Sequence, residues 1–397
     1  MTRRAHLSRL PDDLVAGILA LLPPRHIARA RLVCRRWRDL TTDHHFLRAS
    51  FSRHAGHSVA GFFFNYRFVN TTDYLPLDRN AESEAAAGGD RLTTDLSFIP
   101  GTLSANPGRS SLYVYSSCNG LLLLICRSSN GQAICYVCSP LTKKLIPIGE
   151  PKGASSRLYL ALAFDPSKSR HWKVVALVEN YSVHVYSSET RSWQMAVHSD
   201  HCASLFRGLS PARGVFWNGS VVWIVAHSLV CFVIEGEHVT KMPMSPRKKD
   251  WICAYIGVSG GHLQMIGYTK EKLTGCFDIL EMQEGQSEWS VLYRVDLNRV
   301  KELYPNIDRP TWDTQNHQHK VIDYLALSPI YVIRGTKTGK HGVLIFSIPG
   351  KIMSYNMEDQ EVSMIQEVMS AGIEQLAHPF ELFWYSFYAY NPSLFPM

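Results

Sequence analysis

Val137-Cys138-Ser139-Pro140-Leu141-Thr142-Lys143-Lys144 and Val185-Tyr186-Ser187-Ser188-Glu189-Thr190-Arg191-Ser192-Trp193 decide the fold. Each runs from a short apolar strand into a polar turn and out again, and the two lie about 48 residues apart. Trp193 to Trp289 spans about twice that interval. A period near 50 residues made of short strands marks propeller blades. Each blade is a four-stranded antiparallel sheet whose third strand ends in such a turn and whose fourth carries an aromatic against the next blade. At this spacing residues 55–397 accommodate about seven blades, within a range of six to eight.

The flanking sequence reads the same way. Strands are predicted at 61–69, 111–115, 120–126, 133–138, 159–164, 172–178, 182–186, 214–217, 221–226, 229–234, 253–258, 262–268, 276–282, 290–295, 331–334, 342–348 and 351–355. Turn pairs such as Asn119-Gly120, Asp165-Pro166, Asn218-Gly219 and Gly260-Gly261 bound many of them. A polar, low-complexity stretch at about 78–92 is predicted to be a loop insertion, and 359–375 looks helical, which makes it an insertion or a misread outer strand. Residues 380–390 are too aromatic to remain in water, and a closed ring needs a strand from one chain end to complete a blade begun at the other. Pairing with 61–69 or 111–115 is expected.

Composition supports a large folded body: 397 residues, 46% hydrophobic, 19% charged, 11% aromatic. Nine cysteines, an odd number with several inside apolar runs, imply reduced thiols in the cytosol or nucleus. The N-terminus leads into no apolar signal core, and no apolar run approaches the roughly 20 residues of a membrane helix. Residues 1–54 carry eleven arginines against four aspartates, whereas 55–397 hold thirty basic and thirty acidic residues. A basic head implies an acidic partner, and the neutral body has no electrostatic claim on nucleic acid.

The head, 1–54, reads as an all-α domain. Pro11 suits a first helical turn, Asp12 and Asp13 face the positive end of the dipole, and Leu14, Ile18 and Leu22 recur at intervals of four until Pro23-Pro24. Ile27, Ala30, Val33, Cys34, Trp37 and Leu40 follow at helical spacing, with a possible break near Arg31. That is more apolar surface than one small bundle needs, so the stripe packs on the C-terminal body or on a partner. Leu10-Pro11-Asp12-Asp13-Leu14, Ile18-Leu19, Leu22-Pro23, Ile27 and Arg31-Leu32-Val33-Cys34-Arg35-Arg36-Trp37-Arg38-Asp39-Leu40 together resemble an F-box. The resemblance implies docking on the SKP adaptor of a cullin-RING ubiquitin ligase through Leu10, Pro11, Leu14, Ile18, Leu22, Pro23, Ile27, Val33, Cys34 and Trp37, in helix-in-groove fashion.

The body, 55–397, is similar over roughly 110–300 to the F-box-associated, kelch-like domain of plant F-box proteins. The residues that carry this are Ser117-Cys118-Asn119-Gly120-Leu121-Leu122, Ser139-Pro140-Leu141-Thr142-Lys143, Ala163-Phe164-Asp165-Pro166 with Lys173-Val174-Val175, Val185-Tyr186-Ser187-Ser188-Glu189-Thr190 with Trp193, and Phe216-Trp217-Asn218-Gly219 with Trp223. Together the two resemblances imply a small all-α F-box followed by an all-β propeller, a non-catalytic receptor subunit that binds a target protein for ubiquitination. The alternative is a propeller enzyme with a site in its central channel and no ubiquitin role. Target contacts are expected on inter-strand loops, from Tyr181, Phe206, Arg207, Trp251 and Trp312, residue types that dominate binding hot spots but that also pack between blades.

Other motifs yield no chemistry. Gly257-Val258-Ser259-Gly260-Gly261 fits a nucleophile elbow in letters only, since two strands flank it. Gly335-Thr336-Lys337-Thr338-Gly339-Lys340 has one residue too few for a phosphate loop and His341 where Ser or Thr must reach magnesium. Cys135 and Cys138 sit three apart in one strand and so face opposite ways, and the loop histidines His198, His201, His317 and His319 read as solvated. No metal, cofactor, nucleic acid or membrane is expected.

Overall fold

Prolines and an aspartate punctuate the head. In the computed structural model α1 (Asp12–Leu19) begins after Pro11 with Asp12 and Asp13 in its first turn, and Pro24 occupies the first turn of α2 (Pro24–Ala30). The second helical stretch breaks over residues 31–34, giving α3 (Arg35–Thr42). At the start of α4 (His44–His54), Asp43 Oδ1 accepts the N–H groups of His45 at 2.9 Å and Phe46 at 3.2 Å. The structure describes residues 10–54, 59–65, 72–77, 96–99, 111–127, 133–151, 158–178, 182–198, 204–206, 213–225, 228–242, 244, 251–269, 276–285, 288–312, 321–325, 327–335, 341–368 and 386–395. The predicted insertion at 78–92 lies outside them. Among the described residues no helix is long and apolar enough to cross a membrane.

After the head come β1 (Gly61–Asn65) and β2 (Thr72–Pro76), then three four-stranded antiparallel blades in simple succession. The first is β3 (Ser111–Cys118), β4 (Leu121–Arg127), β5 (Ala133–Ser139) and β6 (Lys144–Ile148). The second is β7 (Leu158–Ala163), β8 (Lys173–Val178), β9 (Val183–Ser187) and β10 (Ser192–Val197). The third is β11 (Val215–Trp217), β12 (Ser220–Val225), β13 (Ser228–Val233) and β14 (His238–Met242). A fourth comprises β15 (Trp251–Ser259), β16 (His262–Thr269), β17 (Cys276–Met282) and β18 (Ser290–Asp296). A short helix, Asn298–Leu303, and a separate hairpin, β19 (Asp308–Trp312) with β20 (Val321–Leu325), precede the fifth blade. That blade is β21 (Ser328–Ile333), β22 (Val343–Ile348), β23 (Lys351–Asn356) and β24 (Val362–Glu367).

The last strand, β25 (Phe387–Tyr390), returns to β1 and completes a sixth blade in the order β2-β1-β25, with Gly61 opposite Tyr390 and Phe64 opposite Phe387. This is the closure expected of the aromatic C-terminal segment. Among the described residues the blade count is six, within the expected range of six to eight but not the seven that the 48-residue period favoured. The period holds between the third strands of the first four complete blades, which start at Ala133, Val183, Ser228 and Cys276, and fails after them. Between the fourth and fifth blades the helix and the β19–β20 hairpin consume chain without building a four-stranded sheet. The helical-looking stretch at 359–375 contains the outer strand Val362–Glu367.

Burial follows strand rank. A middle strand is covered on both faces by neighbouring blades, so β12 is buried throughout, whereas the outer β14 has only exposed and half-buried residues. Antiparallel succession also sorts the connections between two ends of the ring. The turns between first and second strands, at Asn119-Gly120, 164–172, Asn218-Gly219 and Gly260-Gly261, share one end. Asn119, Asp165, Asn218 and Gly261 from these turns line one cavity of about 330 Å³ together with Leu47, Phe51 and His54 of α4, so the head sits at this end. Links from second to third strands, and from blade to blade, lie at the opposite end.

Candidate functional site on two opposed faces

The head presents an apolar face to solvent. Leu14 and Ile18 of α1, Leu21 after it, and Leu32 and Val33 at the break between α2 and α3 are between 51% and 78% exposed. Val15, Leu19, Ala30, Phe46 and Leu47 are instead buried in the cluster that joins the head to the first two blades and to Leu394 and Phe395. Of the residues assigned to adaptor contact, Pro11, Leu14, Ile18, Pro23, Val33 and Cys34 are exposed, and Leu10, Leu22 and Trp37 are half-buried at its edge. Ile27 is corrected: it is fully buried and belongs to the head's own core, because the first turn of α2 points it inward. Leu21 and Leu32, not among the assigned residues, share this exposure. Leu32 stands inside the quoted motif, but its exposure depends on the unwound residues 31–34.

Two of the arginines are internal fasteners. Arg36 bonds Asp12 Oδ1 at 2.7 Å and the Leu10 carbonyl, which ties α3 to the start of α1 and fixes Leu10-Pro11 in place. Arg31 donates to Thr41 Oγ1 at 3.1 Å and to the Thr41 carbonyl at 2.5 Å, and burial lowers its pKa. Arg29, Arg35, Arg38 and Arg48 are exposed on the head and leave its positive potential available to a partner.

Of the loops singled out for target contact, 179–182 joins second and third strands, and 198–207 and 246–251 belong to blade-to-blade links, so the strand ends that flank them lie away from the head; 306–319 runs into the β19–β20 hairpin, and most residues of all four loops lie outside the described ones. Phe206 is corrected. It is fully buried, packed edge-on against Trp223 with ring centroids 5.6 Å apart, and it fills the seam between the second and third blades. Tyr181 and Arg207 lie outside the described residues. Trp251 is the first residue of β15, opposite Thr269, and Trp312 the last of β19, opposite Val321.

Innermost strands gather phenols around Arg213. Its guanidinium lies 4.8 Å from the Tyr388 ring centroid and donates to the Phe387 carbonyl, with Tyr255 and Tyr331 as electrostatic neighbours. Burial pushes the Tyr331 and Tyr388 hydroxyls up to about 12, so both stay neutral, and Tyr331 donates to the Val258 carbonyl at 2.5 Å. Between the fourth and fifth blades Arg334 grips the buried Glu281 with both ends of its fork, at 2.8 and 3.2 Å, and His262 Nδ1 stands 3.6 Å from the same carboxylate.

Ser259 is in a hairpin. It pairs with His262 across Gly260-Gly261, both at positive φ, and its Oγ accepts the Arg334 N–H at 3.1 Å. The strand-to-helix turn that a nucleophile elbow requires is not what surrounds it. Cys135 and Cys138 are buried in different clusters on opposite faces of β5. Among the described residues no group of three His, Cys, Asp or Glu side chains is placed to hold a metal ion. His201, His317, His319 and most of the phosphate-loop-like segment lie outside them.

Comparison with known proteins adds family identity to this geometry. Residues 7–49 match the F-box domain, and residues 99–259 match the F-box associated beta propeller domain. The chain is 26% identical over 374 residues to the F-box protein At5g07610 of Arabidopsis thaliana, covering 88% of this chain and 83% of that one. It is 24% identical over 322 residues to the F-box protein At5g49610, covering 75% and 82%. The F-box/kelch-repeat protein At3g61590 is 29% identical over 215 residues, covering 48% and 46%. Both are also from Arabidopsis thaliana.

Proposed function

Because the chain belongs to the F-box proteins whose helical head is followed by an F-box-associated β-propeller, we propose that it is the target-recognition subunit of an SCF-type cullin-RING ubiquitin ligase. The head docks on a SKP-family adaptor, and through it on cullin and RING subunits. The ring holds a protein target on the end opposite the head, with Tyr181, Arg207, Trp251 and Trp312 among the contact residues. The chain supplies no nucleophile: it raises the effective concentration of target lysines beside the charged ubiquitin carrier.

The observation that carries this reading is the exposed face formed by Leu14, Ile18, Leu21, Leu32 and Val33 on a head whose other side is already packed. These side chains keep 51% to 78% of their surface exposed, and covering it contributes about 1–2 kcal/mol apiece. A cytosolic or nuclear location goes with this reading, supported by the unpaired thiols of Cys118, Cys135 and Cys138.

Co-purification with a recombinant SKP-family adaptor is the test. Replacing Leu10-Pro11 by Ala-Ala abolishes the pull-down and leaves the ring folded by circular dichroism, because these residues sit at the anchored start of α1. Undiminished capture of the adaptor by the double variant overturns the docking assignment. Raising the salt concentration weakens binding only modestly, since the exposed arginines act mainly on the association rate.

A further inference from the structure

Residues 391–395, which follow β25, leave the ring and cross to the head. Asn391 Oδ1 accepts the Ala60 N–H at 3.0 Å where the chain enters β1. Ser393 then sits in a notch over Gly120, which is at φ +88°. A Cβ at Gly120 would overlap the Ser393 side chain and come within 2.8 Å of its backbone nitrogen, so the notch exists because that turn residue is glycine. Leu394 and Phe395 are buried beyond it. The Phe395 ring meets three others edge-on: His44 at 6.3 Å and Phe51 at 6.0 Å, both on α4, and Phe164 at 5.8 Å, just past the end of β7. Beside these contacts the head–ring seam opens into the cavity of about 330 Å³ rather than closing flat. Phe395 therefore adds a C-terminal aromatic contact to the buried cluster that already joins head and ring.

We propose that residues 391–395 form a strap and that Phe395 is a positioning residue for ubiquitin transfer, locking α4 to the ring so that adaptor and target are held at a fixed separation. This rests on the receptor reading above. Transfer by proximity depends on a restricted geometry, and a head that swivels on its connection to β1 would spread the ubiquitin carrier over a larger volume. The strap begins at the strand that closes the ring, so the head is locked only onto a closed propeller.

The test uses the full chain with Phe395→Ala and Phe395→Leu. In hydrogen exchange, Phe395→Ala makes the amides of α4 exchange roughly a hundredfold faster, as loss of a buried aromatic in a local opening demands. The amides of β1 and β25 stay protected, and Phe395→Leu restores most of the α4 protection. In a ligase reconstituted with SKP-family adaptor, cullin and RING subunits, autoubiquitination of wild type is confined to a few ring lysines. With Phe395→Ala it spreads over lysines on several blades, such as the exposed Lys144, Lys168 and Lys241. Adaptor capture is unchanged, since Leu14, Ile18 and Val33 face solvent. Unaltered α4 protection, equal loss of protection in β1 and β25, or an unaltered lysine pattern each overturns the strap. If wild type fails to bind the adaptor, the receptor reading fails, and the exchange experiment alone then decides the strap.

Discussion

Phe387→Ala tests the closure of the ring. Phe387 is 1% exposed, stacks on Phe64 with centroids 5.2 Å apart and meets Phe62 edge-on at 6.3 Å, so the β25–β1 seam is bonded by side chains as well as by backbone. Truncating a buried phenylalanine costs about 3–5 kcal/mol. An unfolding entropy of about 2.1 cal/mol/K per residue over a cooperative unit of roughly 340 residues turns about 4 kcal/mol into a fall of about 6 °C in Tm. Calorimetry provides the measurement, with Met195→Ala as control. Met195 is 62% exposed on the outer strand β10, and its replacement shifts Tm by less than about 1 °C. A Phe387→Ala protein that melts within a degree of wild type, with the same cooperativity, refutes the claim that this strand seals the propeller.

Three further outcomes follow from the same structure. Arg334→Met, which strands the buried Glu281, costs about 3 kcal/mol by denaturant unfolding, whereas adding Glu281→Leu recovers most of the loss; a double variant no better than the single shows that the pair was not paired against burial. His184 is buried against Ser182 at 3.0 Å, and burial, followed by the proximity of His198, lowers its pKa below the ordinary 6.5. The unfolded chain then binds more protons than the native one, so this contribution to stability is present above pH 6.5 and lost as pH falls below it; a Tm–pH profile between 7.5 and 5.5 that His184→Gln fails to flatten contradicts this. Deleting residues after Pro379 exposes an unsealed edge at β1 and gives aggregated protein, and a monodisperse truncation by gel filtration would be the contrary result.

What the sequence made legible depended on how many faces of an element are buried. Leu121–Leu124 and Val221–Val225 read as strands because both their faces meet neighbouring blades, which leaves continuous apolar runs. The outer strands Lys144–Ile148, His238–Met242 and Val362–Glu367 have one wet face and carry no clear alternation, so two were passed over and one looked helical. The count of seven came from extending a local period across a stretch where the chain builds a helix and a hairpin instead. In the head, spacing identified Leu14 and Ile18. It failed at Ile27, which the first turn of α2 points into the head's own core, and at Leu32, whose exposure is set by the unwound turn at 31–34. Phe206 looked exposed because it lies in a segment between strands, and only the fold brings Trp223 over it.

The closing blade also sets a clock. Phe62, Phe63 and Phe64 lie fully buried in the finished ring, yet of their two partner strands only β2 follows at once and the other, β25, is synthesised more than three hundred residues later. At about 5–20 residues per second, these three aromatic rings wait roughly twenty seconds to a minute outside the ribosome before Phe387–Tyr390 can cover them. During that interval the helical head is complete, while the ring is an open arc with a sticky leading edge. A ribosome that stalls in the last blade would therefore leave a chain able to form the exposed apolar face of its head but unable to seal its body, a species that chaperones must either hold or discard.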